Sequence, residues 1–120
     1  MDEFDVLPTE LRKKSLSERE IVLAYDDALL AIDYLIKNRW AMLGWDGWIL
    51  LPDGKVTASL QHQGTCTIFK EKGETWEEYV QSSAEFCKEI MEISQRSWDH
   101  RPEVEGGVLY FCLSAIHESE

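Results

Sequence analysis

The sequence lacks most of the features that mark a secreted, membrane-spanning or nucleic-acid-binding chain. Its three cysteines, Cys66, Cys87 and Cys112, are odd in number and widely spaced. They cannot close a full disulfide framework, and their apolar-patterned surroundings read as sites of buried thiols. No apolar run approaches the roughly 20 residues that a membrane helix needs. The opening residues Met1-Asp2-Glu3-Phe4-Asp5 have neither the basic nor the apolar region of a secretory signal, so a cytoplasmic location is expected. Basic residues are the main shortage, with 12 Lys and Arg against 23 Asp and Glu and a net charge of −11. A field of that sign repels nucleic acid and anionic lipid and favours basic protein partners. Solubility alone is the other reason a chain carries such charge.

Signatures of chemistry are missing too. There is no glycine-rich phosphate loop, paired-cysteine metal knuckle or nucleophile elbow, and Gly44-x-x-Gly47 is too short to cradle a phosphate. The three histidines, His62, His100 and His117, stand far apart, without the spacing of a zinc site. No cofactor or metal is expected. The cysteines lie on the inner faces of regular elements, where thiols are inert.

What is present is enough apolar residue for one core. The chain has 120 residues, 44% hydrophobic and 29% charged, which fits a single domain over 1–120. Apolar and aromatic side chains concentrate in Trp40–Leu51, which holds Trp40, Trp45 and Trp48 and two glycines around Asp46. That density suits a strand within a sheet, and the glycines mark a bulge or kink at Gly44–Gly47.

Around this strand the chain reads as follows. Residues 1–19 form a leader with a short helix over Glu10–Lys14, Leu7 and Leu11 being its apolar contacts. Ser17-x-x-Glu20 has the form of a capping box that would start one long helix. The favoured reading is a strand over Glu20–Ala24, then a helix from Asp27 to Asn38 capped by Asp26. Ala28, Leu29, Ile32, Leu35 and Ile36 share one face of that helix. Pro52-Asp53-Gly54-Lys55 is a type I turn that pairs Trp48–Leu51 with Val56–Gln61. Val56, Ala58 and Leu60 alternate with Thr57, Ser59 and Gln61. His62-Gln63-Gly64 reads as the next turn and Thr65–Lys70 as a returning strand, with Cys66 and Ile68 inward. Thr75-x-x-Glu78 is a second capping box. It opens a helix to Trp98 whose apolar face runs through Trp76, Tyr79, Val80, Ser83, Cys87, Ile90, Met91 and Ser94, widened by Phe86 and Ile93. Asp99–Gly107 is a polar connection. Val108–Ile116 is apolar almost throughout, as suits an interior strand with both faces covered, and His117–Glu120 is a frayed tail. The expected fold is α+β: an antiparallel-rich sheet of about five strands packed by two helices in two layers.

Candidate functional residues follow from exposure. Trp45 and Trp48 beside Asp46 would form an aromatic platform with a carboxylate, able to hold an Arg or Lys side chain or a sugar ring. A strict strand puts the two rings on opposite faces, so a bulge decides their orientation. Glu85, Glu89 and Glu92 on the polar face of the long helix are candidate partner contacts. A small enzyme would instead need Asp46 to meet His62 or His100 in one pocket.

Three stretches carry a resemblance. Ala24-Tyr25-Asp26-Asp27-Ala28-Leu29, Ala31-Ile32-Asp33-Tyr34-Leu35 and Met42-Leu43-Gly44-Trp45-Asp46 together resemble a pattern of small bacterial immunity proteins. These are single-domain partners of polymorphic toxins, and the pattern is closest to the immunity protein 40 type. There a strand–helix–strand unit ends in an aliphatic-Leu-Gly-x-Asp motif. The Thr75-Trp76-Glu77-Glu78-Tyr79 helix start and the closing aliphatic strand are similar as well. The resemblance implies a cytoplasmic binding protein that occludes a toxin domain, and it transfers no catalytic residue. Taken with the acidic charge, the expected function is non-enzymatic binding of a basic partner such as a toxin nuclease.

Overall fold

The computed structural model describes residues 2–65 and 70–119. A 3₁₀ turn over Glu3–Val6 and helix α1 (Thr9–Lys14) lead into strand β1 (Ile21–Ala24). Helix α2 (Tyr25–Lys37), strands β2 (Trp40–Leu50) and β3 (Val56–Thr65), helix α3 (Trp76–His100) and strand β4 (Val108–His117) follow. The fold is α+β, and the described residues contain four strands in one antiparallel sheet of order β1-β4-β2-β3. β4 lies inside the sheet, between β1 and β2, as expected, but it is not covered on both faces: Val108 and Ser114 are exposed. His117, expected in the tail, is its last residue.

The long-helix reading of Ser17–Asn38 fails at Ile21. Those β-branched and aliphatic residues pair with Leu113, Cys112, Phe111 and Tyr110 of β4, so sheet pairing overrides the local capping signal. Ser17 Oγ does accept the N–H of Glu20, at 3.0 Å, but inside a bend rather than a helix. α2 starts at Tyr25, two residues before the expected Asp27, and Ala24 is its N-cap. Asp26 and Asp27 therefore lie in the first turn, where they complement the helix dipole without capping it. After α2, Arg39 turns the chain in a left-handed conformation, φ 67°. Trp76 Nε1 donates to its carbonyl at 2.7 Å.

The expected turn after Leu51 is present: the Gly54 N–H donates to the Leu51 carbonyl at 2.9 Å, and Gly54 has φ 90°. The expected turn at His62-Gln63-Gly64 is not. β3 runs through those residues to Thr65, and the predicted strand Thr65–Lys70, with Cys66 and Ile68, lies largely outside the described residues.

One cluster of buried side chains joins sheet and helices. It takes Leu23 from β1, Ile32 from α2, Ile49 from β2, Met91 from α3 and Phe111 from β4. Leu7 and Leu11 of the leader belong to it as well. α3 is held at its start by the expected capping box, with the Glu78 N–H donating to Thr75 Oγ1 at 3.1 Å and the Thr75 N–H to Glu78 Oε1 at 2.9 Å. Ile93 does not widen its buried stripe as expected and is 68% exposed. The register of β2 against β4 shifts between Met42 and Gly44. That bulge lets Met42 and Trp45, three positions apart, both enter the core. The Met42 N–H donates to Ser83 Oγ of α3 at 3.0 Å. No helix among the described residues is long and apolar enough to cross a membrane.

Candidate functional site

The bulge settles the tryptophans. Trp45 is 3% exposed and meets Phe111 edge-on, with centroids 4.9 Å apart. Its indole lies over Gly64, where an added Cβ would stand 2.2 Å from Nε1. Trp45 is thus a core residue. Asp46 and Trp48 fall on the other parity. Asp46 is exposed between its pairing neighbours Gln63 and Cys112, and Trp48 is half-buried between Ala58 and Tyr110. The two-ring platform does not form; one ring and one carboxylate remain together.

Two further carboxylates approach β4 near Cys112, the pairing neighbour of Asp46. Glu20 Oε2 accepts the Cys112 thiol at 3.5 Å, and Glu3 Oε2 accepts the Ala115 N–H at 3.0 Å. Burial first, then the fields of Glu20, Asp46 and Glu3, push the Cys112 thiol up to about 12. It stays protonated and is no nucleophile at neutral pH.

Glu85, Glu89 and Glu92 are exposed on α3. Their helix packs on the side of the sheet that Trp45 faces, because Ala84, Cys87 and Met91 share the cluster with Trp45 and Ile49. Of the predicted contact residues, Asp46 and Trp48 therefore lie on the opposite side of β2 from α3 with Glu85, Glu89 and Glu92, while Trp45 lies on the α3 side. Glu92 pairs with Arg96 at 2.5 Å, and neighbouring Lys88 reaches Asp33 of α2 at 2.6 Å.

Sequence patterning missed one constellation. Asp46 pairs with Gln63 and Trp48 with Ala58, so residues 59–62 stand opposite Gly47 alone. The alternation holds up to this wide bulge, but the apolar set, Val56, Ala58 and Leu60, faces away from the core. Ser59 is fully buried, while Leu60 is 88% exposed. Glu103, from the connection after α3, closes over the bulge. Its carboxylate accepts the Ser59 hydroxyl at 2.7 Å, the Leu60 N–H at 3.0 Å and the Gln61 N–H at 3.3 Å. Partial burial raises the Glu103 pKa, but these hydrogen bonds and nearby His62 outweigh it and hold the group below the ordinary glutamate value. No local signal in a polar loop announces a partner more than forty residues away.

His62 ends the bulge, buried edge-on against Trp98 with centroids 5.8 Å apart. It follows the opposite parity to Gln63, the partner of Asp46, so Asp46 and His62 point to opposite sides of the sheet. His100 is exposed at the end of α3, and His117 packs on Trp40 at 5.1 Å. The acid–base pairing of Asp46 with His62 is not assembled. Among the described residues no group of His, Cys, Asp and Glu is placed to hold a metal ion. A cleft of about 470 Å³ runs between α2 and α3 past Asp33, Lys37, Glu85 and Lys88. Another of about 420 Å³ is lined by Tyr25, Asp26, Asp27, Gln95 and Asp99. Asp46, Trp48 and His62 line neither. Comparison of the chain with family models, curated proteins and solved structures gives no match.

Proposed function

We propose that this is a stoichiometric protein-binding domain that engages a basic partner, of the kind an immunity protein offers to a cationic toxin nuclease in the cytoplasm. In this reading the helices form one layer over one side of the sheet and leave the other side to the partner. The observation that carries it is Asp46, exposed beside the half-buried ring of Trp48 in a chain of net charge −11. A carboxylate next to an aromatic face holds a Lys or Arg side chain by ion pairing and cation–π attraction together. The wider negative field, including Glu85, Glu89 and Glu92, steers a cationic surface inward and speeds encounter.

The test is the salt dependence of binding to a cationic nuclease domain encoded beside this chain. Association should slow steeply between low and physiological salt, and the triple reversal E85K/E89K/E92K should slow it about tenfold at low salt. A complex whose on-rate ignores both salt and the triple reversal would remove the electrostatic basis of the proposal.

A further inference from the structure

Sheet register places the outward side chains in rows. Leu50 stands between Val56 and Val108, and Trp48 between Ala58 and Tyr110. The next row sets Asp46 beside Cys112, to which Glu20 also reaches. Successive rows are two residues apart, so the face grades from aliphatic through aromatic to acidic over about 13 Å at the usual rise per strand residue.

The aliphatic and aromatic rows of this face are left out of the fold's own packing, whereas in the acidic row Asp46 is exposed and Cys112, with its β1 partner Val22, is buried. Val56 and Val108 are 42% and 45% exposed, and Leu50, Trp48 and Tyr110 are half-buried. None of the five belongs to the core clusters or packs against them. Trp and Tyr are among the residues that most often anchor a protein contact, and here Trp48 and Tyr110 stand side by side next to an exposed carboxylate.

We infer that this sheet face docks a segment of the basic partner that presents an apolar end and, about 13 Å away, an arginine or lysine. The inference rests on the basic-partner reading above and adds which face is used and how the partner segment is graded. Charge selects that occupant over a second copy of this chain. Stacked in the same direction, two copies would set Asp46 and Glu20 against their own counterparts. Stacked in opposite directions, they would bury those carboxylates under Leu50 and Val108, with Lys55 of the neighbouring turn as an opposing cation. A basic, apolar-ended segment meets both halves of the face without either conflict. Three strands wide, at about 4.8 Å between strands, and about 13 Å long, the face falls well below the roughly 800 Å² per partner of a standard interface, so it takes a segment rather than a broad surface.

Three synthetic ten-residue peptides test this against the whole chain. The first carries two leucines at one end and two arginines at the other; the second has the arginines with serines for leucines; the third has the leucines with glutamates for arginines. Binding is followed by amide NMR shifts and by surface-plasmon kinetics at low salt. The graded peptide should bind most tightly and shift the amides of Asp46, Trp48 and Tyr110. D46K and V56E should each shorten its residence about fivefold or more, while E85K/E89K/E92K should change its on-rate alone. Both substitutions are at exposed strand positions, and unchanged thermal unfolding would separate contact from fold. If basic peptides bind but shift α3 amides instead, the face is wrong and the basic-partner reading stands. If neither arginine peptide binds, or the glutamate peptide binds best, both fall. Self-association that V56E abolishes and D46K strengthens would make a second copy the occupant and overturn the inference.

Discussion

The carbonyl oxygen of His62 occupies the space a side chain on Gly47 would need: a Cβ there would stand 2.2 Å from it. The contact is with backbone, and Ser59 Cβ closes a second side at 3.1 Å, so nothing can rotate away. Gly47→Ala should therefore displace the bulge and cost about 3 kcal/mol or more, at the upper end for overpacking. Urea unfolding at pH 7 measures it. A loss under about 1 kcal/mol would mean the bulge is not held against β2 as described.

That contact also marks where sequence reasoning stops. The capping box at Thr75 and the interior placement of Val108–Ile116 are local patterns, and local patterns survive folding. The bulge at Ser59–His62 is not local. The alternation of Val56, Ala58 and Leu60 favours a regular strand, yet Glu103 supplies acceptors to three donors of the bulge, and Gly47 supplies the room. Each half of that arrangement looks like an ordinary loop or glycine until the other is known. For the same reason Trp45 and Trp48 could not be sorted from spacing alone. The shift between Met42 and Gly44 sets their parity, and its freed N–H finds Ser83 on a distant helix.

Glu103 should matter more to the fold than its place in a connection implies. Glu103→Gln keeps the volume but turns one acceptor oxygen into a donor facing other donors. The loss of charge-assisted hydrogen bonds should cost about 1.5–3 kcal/mol at pH 7. Its carboxyl lies below the ordinary value when folded. The stabilisation is thus present above the unfolded pKa, near 4.5, and is lost as pH falls through the folded value. The gap between wild type and E103Q in urea midpoint should be full at pH 6–7 and narrow toward pH 3. A gap independent of pH would show that the carboxylate charge is not what holds the bulge.

Cys112 gives the opposite dependence. Its thiol is raised from about 9 to about 12 in the folded chain, so the folded state holds its proton longer than the unfolded state. Stability should be unaffected by this group below pH 9 and should fall as pH rises from 9 toward 12. Tyr25 and Tyr79, also raised chiefly by burial, add to the alkaline loss. The measure is therefore the difference between wild type and Cys112→Ala, whose stability should fall less steeply above pH 9. In the native protein at pH 8 the thiol should be alkylated no faster than the chain globally unfolds. Rapid labelling would contradict the burial and the carboxylate field around it.

The two central tryptophans should separate fold from contact. Trp45 is fully packed between Phe111 and Gly64, and Trp45→Ala should cost about 3–5 kcal/mol, the range for large core truncations. Gly64→Ala should be damaging for the same reason, since its new methyl would enter the Trp45 ring. Trp48 is half-buried and outside the core cluster, so Trp48→Ala should cost about 1.5 kcal/mol or less. If the outward ring anchors a partner, the same Trp48→Ala change should weaken binding by about 2 kcal/mol or more, roughly thirtyfold. A ring kept for the fold would give the reverse, a large stability loss with affinity restored once the protein is refolded. Measuring unfolding and binding on the same preparation distinguishes the two, because only a contact residue separates one from the other.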